Sequence, residues 1–166
     1  MMLRRLLIGV LAFFLCAGSS VWADEADYDP RTKYGPEEHI MVPVEEIEWE
    51  KGPPSLPEGV EYVMLEGDLD KTGMFVMRLK FPDGYIIPPH THPNFERVTV
   101  LSGTFNLGMG KTFDMGAAKR LDEGSFTTMK PGMAHFAFAE DKTIVQLTSI
   151  GPWEIEYINP KDDPRQ

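Results

Sequence analysis

From residue 59 to residue 158 the chain is broken into short segments of strand-like pattern by turns at close intervals, and no amphipathic helix of ordinary length interrupts them. Met74 to Phe81 shows the pattern best, with Phe75, Met77, Leu79 and Phe81 on one face and Arg78 and Lys80 on the other. Alternation of this kind describes a strand with one side in a core. Val60 to Leu65, Glu96 to Leu101, Thr104 to Met109, Ser125 to Met129, Ala134 to Ala139, Thr143 to Ile150 and Glu154 to Ile158 are further strand candidates. Turns at Pro82-Asp83-Gly84, Ser102-Gly103, Asp122-Glu123-Gly124, Pro131-Gly132 and Glu140-Asp141 separate them. Only Thr112 to Lys119 suggests a short helical excursion. Many strands without alternating helices predict an all-β sandwich or barrel.

A length of 166 residues suits one compact domain. Its first 23 residues read as a secretory signal peptide: Arg4 and Arg5 precede an apolar run from Leu6 to Cys16, and Val21-Trp22-Ala23 offers a cleavage site. The run is shorter than the roughly 20 residues that span a bilayer, so an exported protein, periplasmic or secreted and not inserted in the membrane after cleavage, is expected. Leu15 is too bulky beside Cys16 for a lipidation site. Cleavage after Ala23 removes two arginines and no acid, taking the formal charge from −10 to −12. The remaining chain has no cysteine, which excludes disulfides and thiolate chemistry. An acidic chain without a basic run repels nucleic acid, so a small molecule is the expected partner. Residues 24–58, with Pro30, Pro36 and Pro43 among acids, read as an extended arm that carries a first edge strand at Val44 to Trp49; residues 59–160 form the barrel domain and 161–166 a tail.

Three of the four histidines, His90, His92 and His135, lie in the strand-rich region. Histidines at i and i+2 on a strand share a face, so His90 and His92 can reach one ion. Glu96 follows past Pro93, where the chain can turn back, and His135 enters from another strand. Three imidazoles and a carboxylate suit one divalent transition metal such as Fe, Mn, Ni, Zn or Cu, and not Ca or Mg. His39, in the acidic arm, reads as an ordinary hydrogen-bonded side chain.

Gly84, five residues, His90-Thr91-His92, three residues, Glu96, six residues and Gly103 resemble the first motif of the cupin superfamily at every defining position. The second motif is looser: Gly124, Gly132 and His135 keep its spacing, Lys130 stands where proline is usual, and Ala139 replaces the closing asparagine. Glu96 to Gly110, with Gly151-Pro152-Trp153 and Tyr157 to Pro160, is similar to small bacterial cupins of unassigned function related to the cupin half of zinc-dependent anti-sigma factors. The resemblance covers residues 59 to 158. It implies a double-stranded β-helix, a jelly-roll-like barrel, with a homodimer formed through the segment before residue 60.

Strand parity turns Val98 and Val100 inward with Glu96, and Ala137 and Ala139 inward with His135, as candidate pocket walls. Phe75, Met77, Phe105 and Leu107 read as core. Four protein ligands leave one or two positions open on a five- or six-coordinate ion, which points to a metal-dependent enzyme on a small organic molecule, of oxygenase, isomerase, lyase or hydrolase type. The alternative is a non-catalytic module that binds or senses a small molecule or metal. No residue declares itself as a catalytic acid or base.

Overall fold

The computed structural model describes residues 40–166; the expected signal sequence and the first part of the proposed arm, residues 24–39 with His39, lie outside that range. Among the described residues nine strands form one antiparallel sheet folded on itself: β1 (Glu50–Lys51), β2 (Glu61–Glu66), β3 (Gly73–Phe81), β4 (Ile86–Thr91), β5 (Glu96–Met109), β6 (Lys119–Asp122), β7 (Phe126–Met129), β8 (His135–Gly151) and β9 (Glu156–Tyr157). The architecture is the all-β double-stranded β-helix, and helix among the described residues is limited to single 3-10 turns.

Two long strands make the barrel. Thr104 to Leu107 of β5 pairs with β6 and Thr104 to Met109 with the first part of β8, whereas Glu96 to Thr99 pairs with β7 and Arg97 to Ser102 with the later part of β8. Register shifts around Ser102 bend β5 between these two partnerships, and Gly103, at φ 76°, supplies a backbone conformation open to glycine. Strand β8 turns at Asp141, at φ 57°, and its later part also pairs with β3 over nine residues. Each long strand therefore covers two of the shorter candidates read from the sequence.

Phe75, Met77, Leu79 and Phe81 are all buried, as their alternation requires. Phe81 stacks on Tyr85 and Phe105 at 5.1 and 5.8 Å between ring centroids. A second apolar layer lies outside the barrel wall. Phe136 and Phe138 face away from Ala137 and Ala139 yet are buried, because Phe113 covers them at 4.9 and 6.1 Å.

One local expectation is corrected, one is narrowed and one strand was not read. Val44 to Trp49 is not a strand: Pro43 leads into a 3-10 turn at Val44–Glu46, and pairing begins only at Glu50. Thr112 to Lys119 forms a single 3-10 turn at Met115–Ala117 before extending into β6, since eight residues containing Gly116 cannot sustain a helix. Strand β4 lacked a sequence signal because Pro88 and Pro89 donate no ladder hydrogen bonds; the register shift between Ile87 and His90 accommodates them.

Candidate metal centre

Three strand ends converge at one mouth of the barrel. His90 lies in β4, His92 just beyond it, Glu96 opens β5 and His135 opens β8, where it sits in register with His90. The turn between His92 and Glu96 is pinned to the end of β8: Asn94 Nδ2 donates to Ile150 O at 2.9 Å, and Ser149 Oγ donates to Phe95 O at 2.8 Å. All four side chains are buried, at 3%, 4%, 6% and 2% exposure in sequence order.

The imidazoles are oriented by backbone carbonyls. His90 Nδ1 lies 2.7 Å from Pro88 O, His92 Nδ1 2.7 Å from Glu154 O and His135 Nδ1 2.9 Å from Met133 O. A carbonyl can only accept, so each Nδ1 carries the proton, and in a neutral ring Nε2 keeps its lone pair. Donor atoms of the three histidines lie within 4.8 Å of one another. His92 Nε2 finds no hydrogen-bond partner among the described residues. Glu96 Oε2 approaches His135 Nε2 at 3.3 Å and His92 Nε2 at 3.5 Å, so the carboxylate stands on the His92–His135 side of the trio, outside its closest grouping.

Electrostatics keeps the set ready for a cation. Burial, aided by the neighbouring His135 and His92, pushes His90 down to about 3, so it is neutral at pH 7. Burial alone would raise Glu96, but His92 and the His135 hydrogen bond outweigh it and hold the carboxyl at about 2. Burial likewise lowers His135, and its hydrogen bond to Glu96 more than compensates, leaving it raised. Without a metal, His135 Nε2 donates its proton toward the Glu96 carboxylate; a cation that displaces this proton meets a buried anion and imidazoles each fixed from behind, as ligating histidines require. The residues present thus fit a divalent transition metal, and the three buried histidines can hold one.

Behind this set lies an almost wholly apolar cavity, with about 20 Å³ open to the centre of a water molecule. Val98 and Ala137 line it; Val100 and Ala139 are buried in the core at 1% and 3% exposure but lie outside its lining, further along their strands. Phe105 and Leu107 serve both core and cavity wall. Sequence reasoning did not assign Trp153, Met129, Ile155 or Leu56 to the wall. Trp153 stacks on His92 at 5.7 Å and 15°, and its backbone N–H donates to Leu69 O at 2.7 Å. Its role rests on a fold-back across 61 positions, which no local pattern announces.

Solved structures with this fold include an RmlC-like cupin from Shewanella frigidimarina, at 20% identity and a TM-score of 0.53 over 69% of this chain and 91% of that one. The polyketide cyclase RemF from Streptomyces resistomycificus aligns at 16% and 0.61, covering 76% and 90%. A putative acetylacetone dioxygenase from Methylibium petroleiphilum aligns at 13% and 0.60, covering 78% and 88%. Among curated proteins no match was found. At these identities the likeness establishes the fold alone. The sequence itself carries the family: residues 37–154 match the model of the ChrR cupin-like domain, and the chain belongs to that cupin family.

Proposed function

We propose that the protein is an exported metal-dependent enzyme acting on a small organic molecule, with one divalent transition metal held by His90, His92, His135 and Glu96. The observation that carries the reading is the convergence of three imidazole donors, each with Nδ1 committed to a backbone carbonyl. A metal bound there would supply Lewis acidity and, if redox-active, electrons.

The chain's own residues contribute position and exclusion. Pro88 O, Glu154 O and Met133 O fix the imidazoles, while Leu147, Val98 and Phe105 keep the inner cavity dry. Among the described residues, no titratable group other than the four lines the cavity. Reactions needing a separate general base are therefore disfavoured against oxygenase chemistry. A fold neighbour described as a putative acetylacetone dioxygenase is compatible with this direction.

The same lack of a separate acid or base favours the second reading, a non-catalytic binding or sensing module. Metal-loaded protein incubated with small organic acids, diketones and phenols separates the two. Substrate loss over many turnovers, with oxygen uptake, is expected; stoichiometric binding without turnover would establish the module instead. Export rests on the Arg4-Arg5 and Leu6 to Cys16 pattern. A homodimer through the segment before residue 60 is part of the reading, supported by exposed Ile40, Met41 and Val44; sedimentation at a single-chain mass would remove it.

A further inference from the structure

We propose that Leu56 is a fixed stopper between the metal cavity and a second pocket and sets the length of ligand the site takes, an inference that rests on the metal site proposed above. Leu56, 5% exposed, is the one residue that lines both this cavity and a second pocket of about 180 Å³. The outer pocket is walled by the 51–60 strap and Pro164. With only about 20 Å³ behind the donor set, the inner cavity has room for one or two water-sized groups. Removing the Leu56 side chain would join the two spaces.

The stopper is clamped on both sides. Tyr85 Oη donates to Pro57 O, and Tyr157 Oη donates to Ser55 O at 2.8 Å, so the two hydroxyls hold the carbonyls flanking Leu56. Leu56 N donates to Pro53 O at 3.0 Å, closing a turn stiffened by Pro53, Pro54 and Pro57. Leu56 therefore acts as a wall and not as a swinging gate.

Charge and shape name the ligand class. Glu96 and a divalent ion together leave one net positive charge, matched by one carboxylate. Phe81, Ile87, Leu79 and Leu56 offer an apolar path for its tail. The inner cavity thus takes the tail of a monocarboxylate no longer than acetate and excludes longer inward tails at Leu56, while bulk that stays at the mouth is not limited by it.

The test uses cobalt(II)-loaded native protein and Leu56→Ala, titrated with formate, acetate, propionate and butyrate and followed by cobalt visible absorption. Native affinity should fall beyond acetate, whereas Leu56→Ala should gain about fourfold per added methylene, the value of burying one. Identical length profiles in a variant that holds cobalt would overturn the proposal, as would loss of cobalt in the variant alone. If Leu56→Ala does not fold, Leu56→Val should give an intermediate shift, and its absence counts equally against the stopper. Failure of cobalt to bind native protein defeats the metal reading separately. The stopper is then judged on metal-free protein: benzene should raise the melting temperature of Leu56→Ala and not of the native chain, and no such rise would overturn it.

Discussion

The imidazoles of His90, His92 and His135 are held from behind by three carbonyls, two of which, Pro88 O and Met133 O, lie two residues upstream of the ring they bind. Ring orientation is thereby a local property for His90 and His135, and a long-range one for His92, which relies on Glu154 O. Replacing His92 or His135 by alanine should abolish stoichiometric metal and lower the melting temperature of metal-loaded protein, because metal bound to the native state stabilises it; unchanged metal content in both would count against the site. Glu96→Gln keeps the shape and removes the charge, and should weaken metal affinity by at least about tenfold, measured by competition with a chelator. Gly108 has a purely steric role: a Cβ there would lie 2.0 Å from the Phe136 ring, which is fully buried. Gly108→Ala should cost about 1–3 kcal/mol in denaturant unfolding, the usual range for overpacking. The histidine and glutamate spacing was legible because i, i+2 geometry and one turn bring those groups together. Trp153 and Leu56 were not, since neither their type nor their neighbours carries a sign of the cavity that they reach only after the sheet has closed.

Among the elements, β3 could be read directly because one face is wholly apolar, while β4 could not because prolines hide its ladder. The long strands β5 and β8 were legible as pieces. Their interruptions at Ser102-Gly103 and Glu140-Asp141 look in sequence like chain reversals, yet in β5 the register shifts around Ser102 bend a strand that continues. The strap before β2 adds a measurable pH dependence. Burial raises the Tyr85 hydroxyl well above the ordinary tyrosine value of about 10, followed by the effect of Tyr157, and Tyr157 is itself raised by burial and by Asp163. The folded chain keeps these protons where the unfolded chain gives them up, so their contribution to stability is complete below pH 10 and is lost above it. The melting temperature should fall as pH rises past about 10, and Tyr85→Phe should flatten that fall; an unaltered slope would show that the hydroxyl does not titrate with unfolding.

For the whole molecule, the barrel gives a closed apolar interior and leaves its polar chemistry at one mouth. All buried histidine and carboxylate side chains among the described residues, His90, His92, Glu96 and His135, gather there. Folding places a carboxylate and three imidazoles out of water, a costly grouping unless a cation or a shared proton answers the charge. A bound ion accounts for that grouping and for the inward Nε2 atoms together. The measurement that bears most directly on this is the metal content of protein purified without a histidine tag from the compartment to which export is proposed. About one transition-metal ion per chain is the predicted result. Protein that is folded, full-length and free of metal, and that gains no thermal stability when Fe, Mn, Zn, Ni or Cu is added, would contradict the account.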